Sequence, residues 1–274
     1  MALLPPDFLD AVVALGTPKP DGTTKFTATG FLCSYPVGET DGKPDYGLFL
    51  VTNRHVIEGV NSLKARLNRP IGSESKVYGI PLTASDGKPI WTVHPDNNCD
   101  VAVVGLSYSI LQSDGIDVNF FHSTPNQILS LEKAKEIQVS EGDGVFVLGF
   151  PLGEAGEERN YVIVRQGIIA RIRDWLGGQS RIILVDASVF PGNSGGPVVL
   201  KPELASIQGT KSNNSALLVG MVSSYLPYED IAISSQTGRP RIVFQENSGL
   251  ARVVPFDVIQ ETLALAVRGK VATG

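Results

Sequence analysis

Ser194 lies in a glycine-rich segment, Pro191–Pro197, which reads PGNSGGP. Gly192 permits a tight turn that directs main-chain N–H groups toward one point, while Gly195 and Gly196 leave room for a substrate backbone. A serine hydroxyl presented in such a turn can attack a carbonyl carbon. Most serines in glycine-rich turns are only structural, so this segment alone leaves acyl transfer and a plain turn both open.

A histidine and an aspartate upstream of Ser194 adjoin apolar runs: His55 follows residues 48–52 (LFLVT), and Asp100 precedes residues 101–104 (VAVV). A Ser-His-Asp triad needs a base for the hydroxyl proton and a carboxylate that fixes the imidazole tautomer. The order His, Asp, Ser is that of chymotrypsin-type enzymes, whereas α/β-hydrolases place the serine first and subtilisins the aspartate first. We therefore predict His55 as base, Asp100 as its carboxylate and Ser194 as nucleophile.

Each of these residues also has an ordinary structural interpretation. His55 could be a core histidine, and Asp100 could cap a turn. Asp96 has more of the character of a turn residue, and neither His94 nor His122 is accompanied by a partner motif. The three predicted triad residues are favoured because they occur together.

Several further segments make the chain resemble trypsin/chymotrypsin-fold serine proteases, and most closely those of the HtrA/Deg type. The resemblance extends from about Phe26 to Ala266 and is carried by residues 27–32 (TATGFL), 47–56 (GLFLVTNRHV), 149–153 (GFPLG), 162–169 (VIVRQGII), 186–188 (DAS) and 248–255 (SGLARVVP). It implies an all-β fold of two six-stranded antiparallel β-barrels with a C-terminal helix.

The same resemblance implies a division of the chain into two domains. Residues 1–120 would form an N-terminal barrel carrying His55 and Asp100, and residues 121–274 a second barrel carrying Ser194 and the terminal helix. Short β-branched runs separated by glycine and proline independently favour an all-β class. Apolar residues near helical spacing between residues 256 and 267 independently favour the helix.

The predicted oxyanion hole is formed by the backbone N–H groups of Gly192 and Ser194, with Asn193 between them. Trypsins have an aspartate where this chain has Asn193, and a neutral amide cannot pair with a newly formed N-terminal amine. We therefore expect activity that does not depend on N-terminal processing.

By the resemblance, Ser188 forms the base of the primary substrate pocket, with Val189 and Gly249 as further wall. A neutral base disfavours a Lys/Arg preference and favours apolar or small side chains. Glu229 and Asp230 lie on a nearby predicted loop, where they either add negative charge or are simply solvated. The remaining predicted substrate-binding residues resemble part of the family's edge strand that pairs with substrate backbone, namely Ser223, Ser224 and Tyr225.

Composition excludes several other classes of function. The formal charge of −5 and the absence of a basic cluster argue against nucleic acid as a partner. No apolar stretch reaches the roughly 18 residues of a membrane span, so no membrane partner is expected. Residues 1–7 lack the features of a secretory signal, which predicts a cytoplasmic protein, although a secreted mature form would have the same composition.

No cofactor or metal is expected, because neither Cys33 nor Cys99 has a second ligand at metal-binding spacing. Two reduced thiols and a bridge between them both remain open. The predicted function is a serine endopeptidase that acts on protein or peptide substrates through an acyl-enzyme, with no prediction of oligomeric state. The alternatives are a protease-fold binding or scaffold protein with little turnover, and an esterase that uses the same triad.

Overall fold

The computed structural model describes residues 3–60, 62–203, 205, 207 and 210–271, and most of its regular structure is strand. The strands of the first half are β1 Val12–Pro18, β2 Thr24–Thr40, β3 Lys43–Thr52, β4 Leu63–Leu67, β5 Lys76–Ile80, β6 Trp91–Val93, β7 Ala102–Leu106 and β8 Phe121–His122. Those of the second half are β9 Gly144–Gly149, β10 Ile163–Arg171, β11 Ile183–Asp186, β12 Pro197–Leu200, β13 Leu217–Ile233 and β14 Pro240–Pro255. The helices are α1 Pro6–Asp10, α2 Arg54–Ile57, α3 Tyr108–Ser113, α4 Leu131–Glu136, α5 Arg173–Leu176 and α6 Phe256–Val271, with a 3₁₀ turn at Pro151–Gly153.

The first half forms an antiparallel sheet in the order β5-β4-β1-β2-β3-β7-β6, and the short strand β8 pairs parallel with β2. Its inner side packs around a buried apolar cluster that includes Leu15, Leu50 and Ile57. In the described residues this sheet has eight strands, two more than the six expected, counting the two-residue strand β8. His55 lies on α2, which follows β3, and Asp100 lies just before β7.

The second half is a closed six-stranded barrel in the order β10-β11-β14-β13-β12-β9. Helix α6 follows β14 and packs through Phe256, Ile259 and Leu263 against a shared core that also contains Phe31 and Phe121 from the first half. The predicted fold class, a chymotrypsin-like double barrel with a C-terminal helix, is confirmed. Within the described ranges, no helix combines the length and apolar character needed to cross a membrane.

Two hairpins are long. Strand β2 continues to Thr40 and β3 begins at Lys43, because Asp41 (φ 52°) and Gly42 (φ 74°) alone make the turn. Strands β13 and β14 likewise continue far past the barrel, with cross-strand pairs as far as Ile233 and Pro240. We call residues 226–248 the arm.

The two cysteines are both free and buried. Cys33 is fully buried, and this burial raises the pKa of its thiol. Neither thiol is therefore in the exposed, electropositive setting that makes a cysteine reactive.

Arg66 of β4 connects the two halves. Its side chain is 5% exposed and donates to the Asn160 side-chain oxygen (2.8 Å) and to the carbonyls of Ala155 (2.6 Å), Gly156 (2.9 Å), Glu157 (3.1 Å) and Arg159 (3.3 Å). The guanidinium thus donates to five acceptors in the loop 155–160, which it can do because it carries five N–H donors in a planar fork.

Arg66→Met is expected to lower the free energy of unfolding by about 2–4 kcal/mol, because it leaves buried carbonyl groups without a donor. Urea unfolding monitored by circular dichroism measures the change. The exposed Arg268 provides the matched control, since Arg268→Met removes the same charge without uncovering these carbonyls. Equal losses in the two variants would contradict this role for Arg66.

Candidate active site

His55 and Asp100 are in direct contact. His55 Nδ1 lies 2.6 Å from Asp100 Oδ2, and because a carboxylate only accepts, Nδ1 is the donor. The backbone N–H of His55 donates to Asp100 Oδ1 at 3.1 Å. Ser223 Oγ donates to Asp100 Oδ2 at 3.0 Å, and the Asn53 side chain donates to the Asp100 carbonyl at 2.8 Å. The imidazole is therefore held with Nδ1 protonated and its other nitrogen available as a base.

The electrostatics of Asp100 favour the ionised form. Burial raises the pKa of this carboxyl, but the hydrogen bonds and charge of His55 together with the Ser223 hydroxyl outweigh it, so the net pKa lies below the ordinary value. A carboxylate that stays ionised can stabilise an imidazolium as it forms.

The turn that carries Ser194 is fixed through its backbone. The Ser194 carbonyl accepts from Thr29 N–H at 2.9 Å, while Val222 accepts from Gly195 N–H and donates to the Gly196 carbonyl, both at 2.9 Å. Gly195 has a φ of 81°, and a Cβ there would lie 2.1 Å from the Thr29 carbonyl oxygen, so the turn requires glycine at this position.

Ser194 opens onto the same cleft as His55 and Asp100, a cavity of about 370 Å³. Neither Ser194 Oγ nor His55 Nε2 forms a hydrogen bond to another residue in the described part of the chain. Hydrogen bonds of catalytic groups are often long or unformed without substrate and tighten in the substrate complex. The structure thus brings the three predicted triad residues to one cleft, with the His55–Asp100 contact made and the His55–Ser194 hydrogen bond unmade.

Two backbone N–H groups of the turn are unused. Among the described residues, neither Gly192 N–H nor Ser194 N–H donates to a protein acceptor, whereas Asn193 N–H donates to the Phe190 carbonyl at 2.9 Å. The buried Asn193 side chain accepts from Phe190 N–H at 3.0 Å and so braces the turn. Gly192 and Ser194 are therefore the donors available to an oxyanion.

The orientation of Gly192 N–H is set by Leu152, which sequence reasoning missed. Leu152 N–H donates to the Pro191 carbonyl at 2.7 Å. Since C=O and N–H point in opposite directions across a planar trans peptide, this bond turns Gly192 N–H away from Leu152. Leu152 has a φ of 59° and a side chain that is 69% exposed, so its backbone rather than its side chain contacts the turn.

Gly192→Ala is expected to lower kcat by about 10²–10³-fold, the usual cost of losing one oxyanion donor. The φ of Gly192 is 104°, and a Cβ there would lie 2.3 Å from the Phe150 carbonyl oxygen, so the peptide must move. Steady-state hydrolysis of a peptide substrate measures the effect. Gly87→Ala is the control, because Gly87 has a φ of 84° but no atom within 4 Å of the added Cβ. Wild-type kcat in Gly192→Ala would exclude this donor.

Thr29 is a second residue that sequence reasoning did not single out, although it lies in the motif at residues 27–32. This fully buried threonine donates through Oγ1 to the Gly192 carbonyl at 2.6 Å and accepts from Phe150 N–H at 3.1 Å. Its own carbonyl accepts from Thr52 Oγ1 at 2.8 Å. One side chain therefore links the first sheet to the serine turn.

Thr29→Val is expected to reduce kcat about tenfold or more with little change in KM, because about 1–3 kcal/mol of hydrogen bonding that positions Gly192 is lost. Thr29→Ser retains the hydroxyl and is expected to retain kcat. Separate determination of kcat and KM for the two variants tests this. A purely structural role would instead lower the melting temperature of the valine variant and leave kcat per folded molecule unchanged.

The wall of the cleft differs in part from the predicted set. Val189, Ser223, Ser224 and Tyr225 line it as expected, and Phe190 and Pro191 also contribute. Ser188 is exposed and is not among the lining residues, and neither is Gly249, whose carbonyl accepts from Ala187 N–H. Successive side chains of an extended segment point to opposite sides. Val189 points inward and is buried, so the neighbouring Ser188 side chain points outward into solvent.

The other candidate residues have structural partners. His94 Nε2 lies 2.9 Å from a Glu261 carboxylate oxygen on α6, and His122 Nδ1 lies 3.3 Å from Ser34 Oγ. Asp96 accepts from Asn98 N–H at 2.9 Å, as expected of a turn residue. The described residues contain no group of three or more His, Cys, Asp or Glu that could hold a metal ion.

Comparison with known proteins gives one family match and several similar proteins. The trypsin-like peptidase domain family matches residues 28–203. "Putative serine protease HhoB" from Synechocystis sp. (strain ATCC 27184 / PCC 6803 / Kazusa) is 26% identical over 182 residues, which are 66% of this chain and 33% of that protein. The chain thus spans about a third of the length of this curated relative.

Three solved structures are similar to the chain at low sequence identity. The apo MamO protease domain from Magnetospirillum magneticum is 15% identical with a TM-score of 0.48, covering 93% of this chain and 97% of that one. The HtrA-type protease AlgW with a decapeptide is 18% identical with a TM-score of 0.46, covering 95% and 65%. The inactive form of the Rv3671c protease is 17% identical with a TM-score of 0.43, covering 94% and 90%.

Proposed function

The chain belongs to the trypsin-like peptidase domain family, and we propose that it is a serine endopeptidase that cleaves peptide bonds through an acyl-enzyme. One observation carries this proposal. Ser194 shares a cleft with a His55 whose Nδ1 is bound to Asp100, and two unused N–H groups flank the serine. Nucleophile, base, orienting carboxylate and oxyanion donors are the full set that acyl transfer needs.

In the proposed mechanism Ser194 Oγ attacks the substrate carbonyl carbon while its proton passes to His55 Nε2. The carbonyl oxygen becomes an oxyanion that accepts from Gly192 and Ser194 N–H. Collapse breaks the C–N bond, and His55 returns the proton to the leaving amine, which leaves an ester on Ser194. Water then attacks this ester with His55 as base, and collapse releases the acid and restores the serine hydroxyl.

For the substrate we propose a protein or peptide with an apolar or small side chain at the primary subsite. The cleft wall contains Val189, Phe190, Pro191 and Tyr225, and none of these carries a negative charge. The guanidinium of Arg165 lies 5.1 Å from the Phe190 ring centroid, which further disfavours a cationic side chain beside Phe190.

We also propose that activity does not depend on N-terminal processing. The buried Asn193 side chain binds Phe190 N–H, so the turn is braced from within and needs no ion pair with a chain terminus. Equal activity of the full-length and an N-terminally trimmed protein would support this, whereas an inactive precursor activated by cleavage would contradict it.

A fluorophosphonate probe tests the proposal against a scaffold without turnover. The probe modifies serines activated by a base and an oxyanion hole, and tandem mass spectrometry of the labelled protein is expected to place the adduct on Ser194. Absence of labelling at Ser194 would favour the scaffold. Turnover of a peptide library compared with simple esters separates a peptidase from an esterase, which would cleave only the esters, and also gives the cleavage-site preference.

A further inference from the structure

Strand β13 leaves the barrel with one edge unpaired. Up to Met221 this edge pairs with β12, and Val222 exchanges its hydrogen bonds with Gly195 and Gly196 of the serine turn. Beyond Val222, no strand in the described part of the chain pairs with this edge. The opposite edge stays paired with β14 as far as Ile233. Unpaired strand edges are templates for adding another strand.

This open edge begins inside the catalytic cleft. Ser223, Ser224 and Tyr225 line the cleft beside Ser194, and the next residue, Leu226, is the first of the arm. From Leu226 to Ile233 the strand continues for eight residues, which corresponds to about 26 Å at ~3.3 Å per residue. A peptide chain paired with β13 at the cleft therefore meets a continuous edge that leads away from it.

The arm exposes apolar side chains that an added peptide strand would cover. Tyr228, Ile231 and Ile233 on β13 are 59%, 46% and 64% exposed, and they are accompanied on β14 by the exposed side chains of Ile242, Val243 and Phe244. A two-stranded hairpin is marginally stable alone, and a third strand would cover part of this apolar surface.

The middle of the β13 edge, between Tyr228 and Ile231, is acidic. Glu229 and Asp230 are exposed, while the basic residues Arg239 and Arg241 lie toward the far end of the arm. An added strand with a lysine or arginine opposite Glu229 or Asp230 would gain a cross-strand ion pair.

We propose that the edge of β13 from Leu226 to Ile233 binds the substrate polypeptide as an added strand, well beyond the cleft. The preferred substrate is an extended segment with apolar residues at alternate positions and a basic residue facing Glu229 or Asp230. Pro227 has no N–H and interrupts the new ladder at one position. This inference rests on the proposed function, and a polypeptide substrate is favoured over a second copy of the chain because the open edge is continuous with the cleft.

The test compares short and long peptide substrates. A short fluorogenic peptide built on the preferred cleavage site is extended by eight residues, alternating valine and threonine with one lysine, either on its N-terminal or on its C-terminal side. One extension is expected to raise kcat/KM about tenfold or more in the wild type, equivalent to about 1.4 kcal/mol. In a variant with residues 228–246 replaced by Asn-Gly, the gain is expected to vanish while hydrolysis of the short peptide persists.

A charge variant keeps the test valid if shortening the arm disturbs folding. The double substitution Glu229→Lys and Asp230→Lys is expected to remove most of the gain from the lysine-containing extension and to restore it when that lysine is replaced by glutamate. Glu246→Lys is the matched control, because Glu246 lies on β14 rather than on the open edge.

Equal kcat/KM for short and extended peptides in the wild type would overturn the proposal, as would a gain that survives in the shortened variant. If sedimentation shows a wild-type dimer that becomes a monomer on shortening while dependence on peptide length is unchanged, the arm serves self-association and the proposal is wrong. Failure of the proposed function itself is distinguishable, because the probe would then leave Ser194 unlabelled in all of these proteins.

Discussion

Ser194→Ala is expected to lower kcat on a peptide substrate by about 10⁶-fold, the largest effect of any single substitution in this chain. Alanine removes the hydroxyl oxygen that forms the acyl bond in the proposed mechanism. The donors at Gly192 and at position 194 itself are backbone groups and survive the substitution, so about 10³-fold acceleration over water should remain. Hydrolysis at high enzyme concentration over days measures this residual rate.

The matched control is Ser73→Ala in an exposed loop, which is expected to leave kcat within about twofold of the wild type. Circular dichroism and melting temperature should be alike in all three proteins, since Ser194 Oγ makes no hydrogen bond to any described residue that alanine would lose. A Ser194→Ala protein that keeps more than about a hundredth of the wild-type rate would show that another residue is the nucleophile.

The placing of His55, Asp100 and Ser194 in one cleft could be predicted from sequence, because each lies in a short motif next to a strand and the order of the three residues selects one fold. His55 lies on α2 just after β3 and Asp100 lies just before β7, and these two strands are paired in the sheet. The contact between His55 and Asp100 therefore follows from the pairing of these two strands in the predicted barrel.

The residues that brace the site could not be predicted in the same way. Thr29 meets Gly192 across 163 positions of sequence, and Arg66 meets the loop 155–160 across about 90. These bonds depend on how the two halves pack, which leaves no periodic pattern in either segment. Leu152 is harder still, because its backbone N–H makes the contact and its side chain carries no signal.

The length of strands β13 and β14 in the arm could not be predicted from the sequence pattern. On sequence alone Glu229 and Asp230 favour a loop, because acidic residues are depleted in strands. The structure instead places both residues in β13, where the neighbouring Ile231 pairs with Val243 of β14.

Asp100→Asn is expected to lower kcat by about 10⁴-fold while leaving the fold intact. In the wild type both carboxylate oxygens accept: Oδ1 from His55 N–H and Oδ2 from His55 Nδ1 and Ser223 Oγ. An asparagine whose oxygen keeps the backbone N–H of His55 turns its NH₂ group toward Nδ1. The proton then moves to Nε2, and His55 can no longer accept the proton of Ser194.

Kinetics of Asp100→Asn and Asp96→Asn on the same peptide test this assignment, because Asp96 is the alternative carboxylate and, among the described residues, its side chain accepts hydrogen bonds from Asn98 alone. Stability provides an independent readout. Since the folded-state pKa of Asp100 is lowered, its contribution to stability is present above the ordinary carboxyl pKa of about 4 and is lost as the pH falls through the lowered value. The difference in unfolding free energy between wild type and Asp100→Asn should therefore shrink on acidification.

The kinetic result that would contradict the assignment is a large loss of kcat in Asp96→Asn with near wild-type kcat in Asp100→Asn. Asp96 would then be the residue that orients His55. We expect the opposite, because His55 Nδ1 lies 2.6 Å from Asp100 Oδ2.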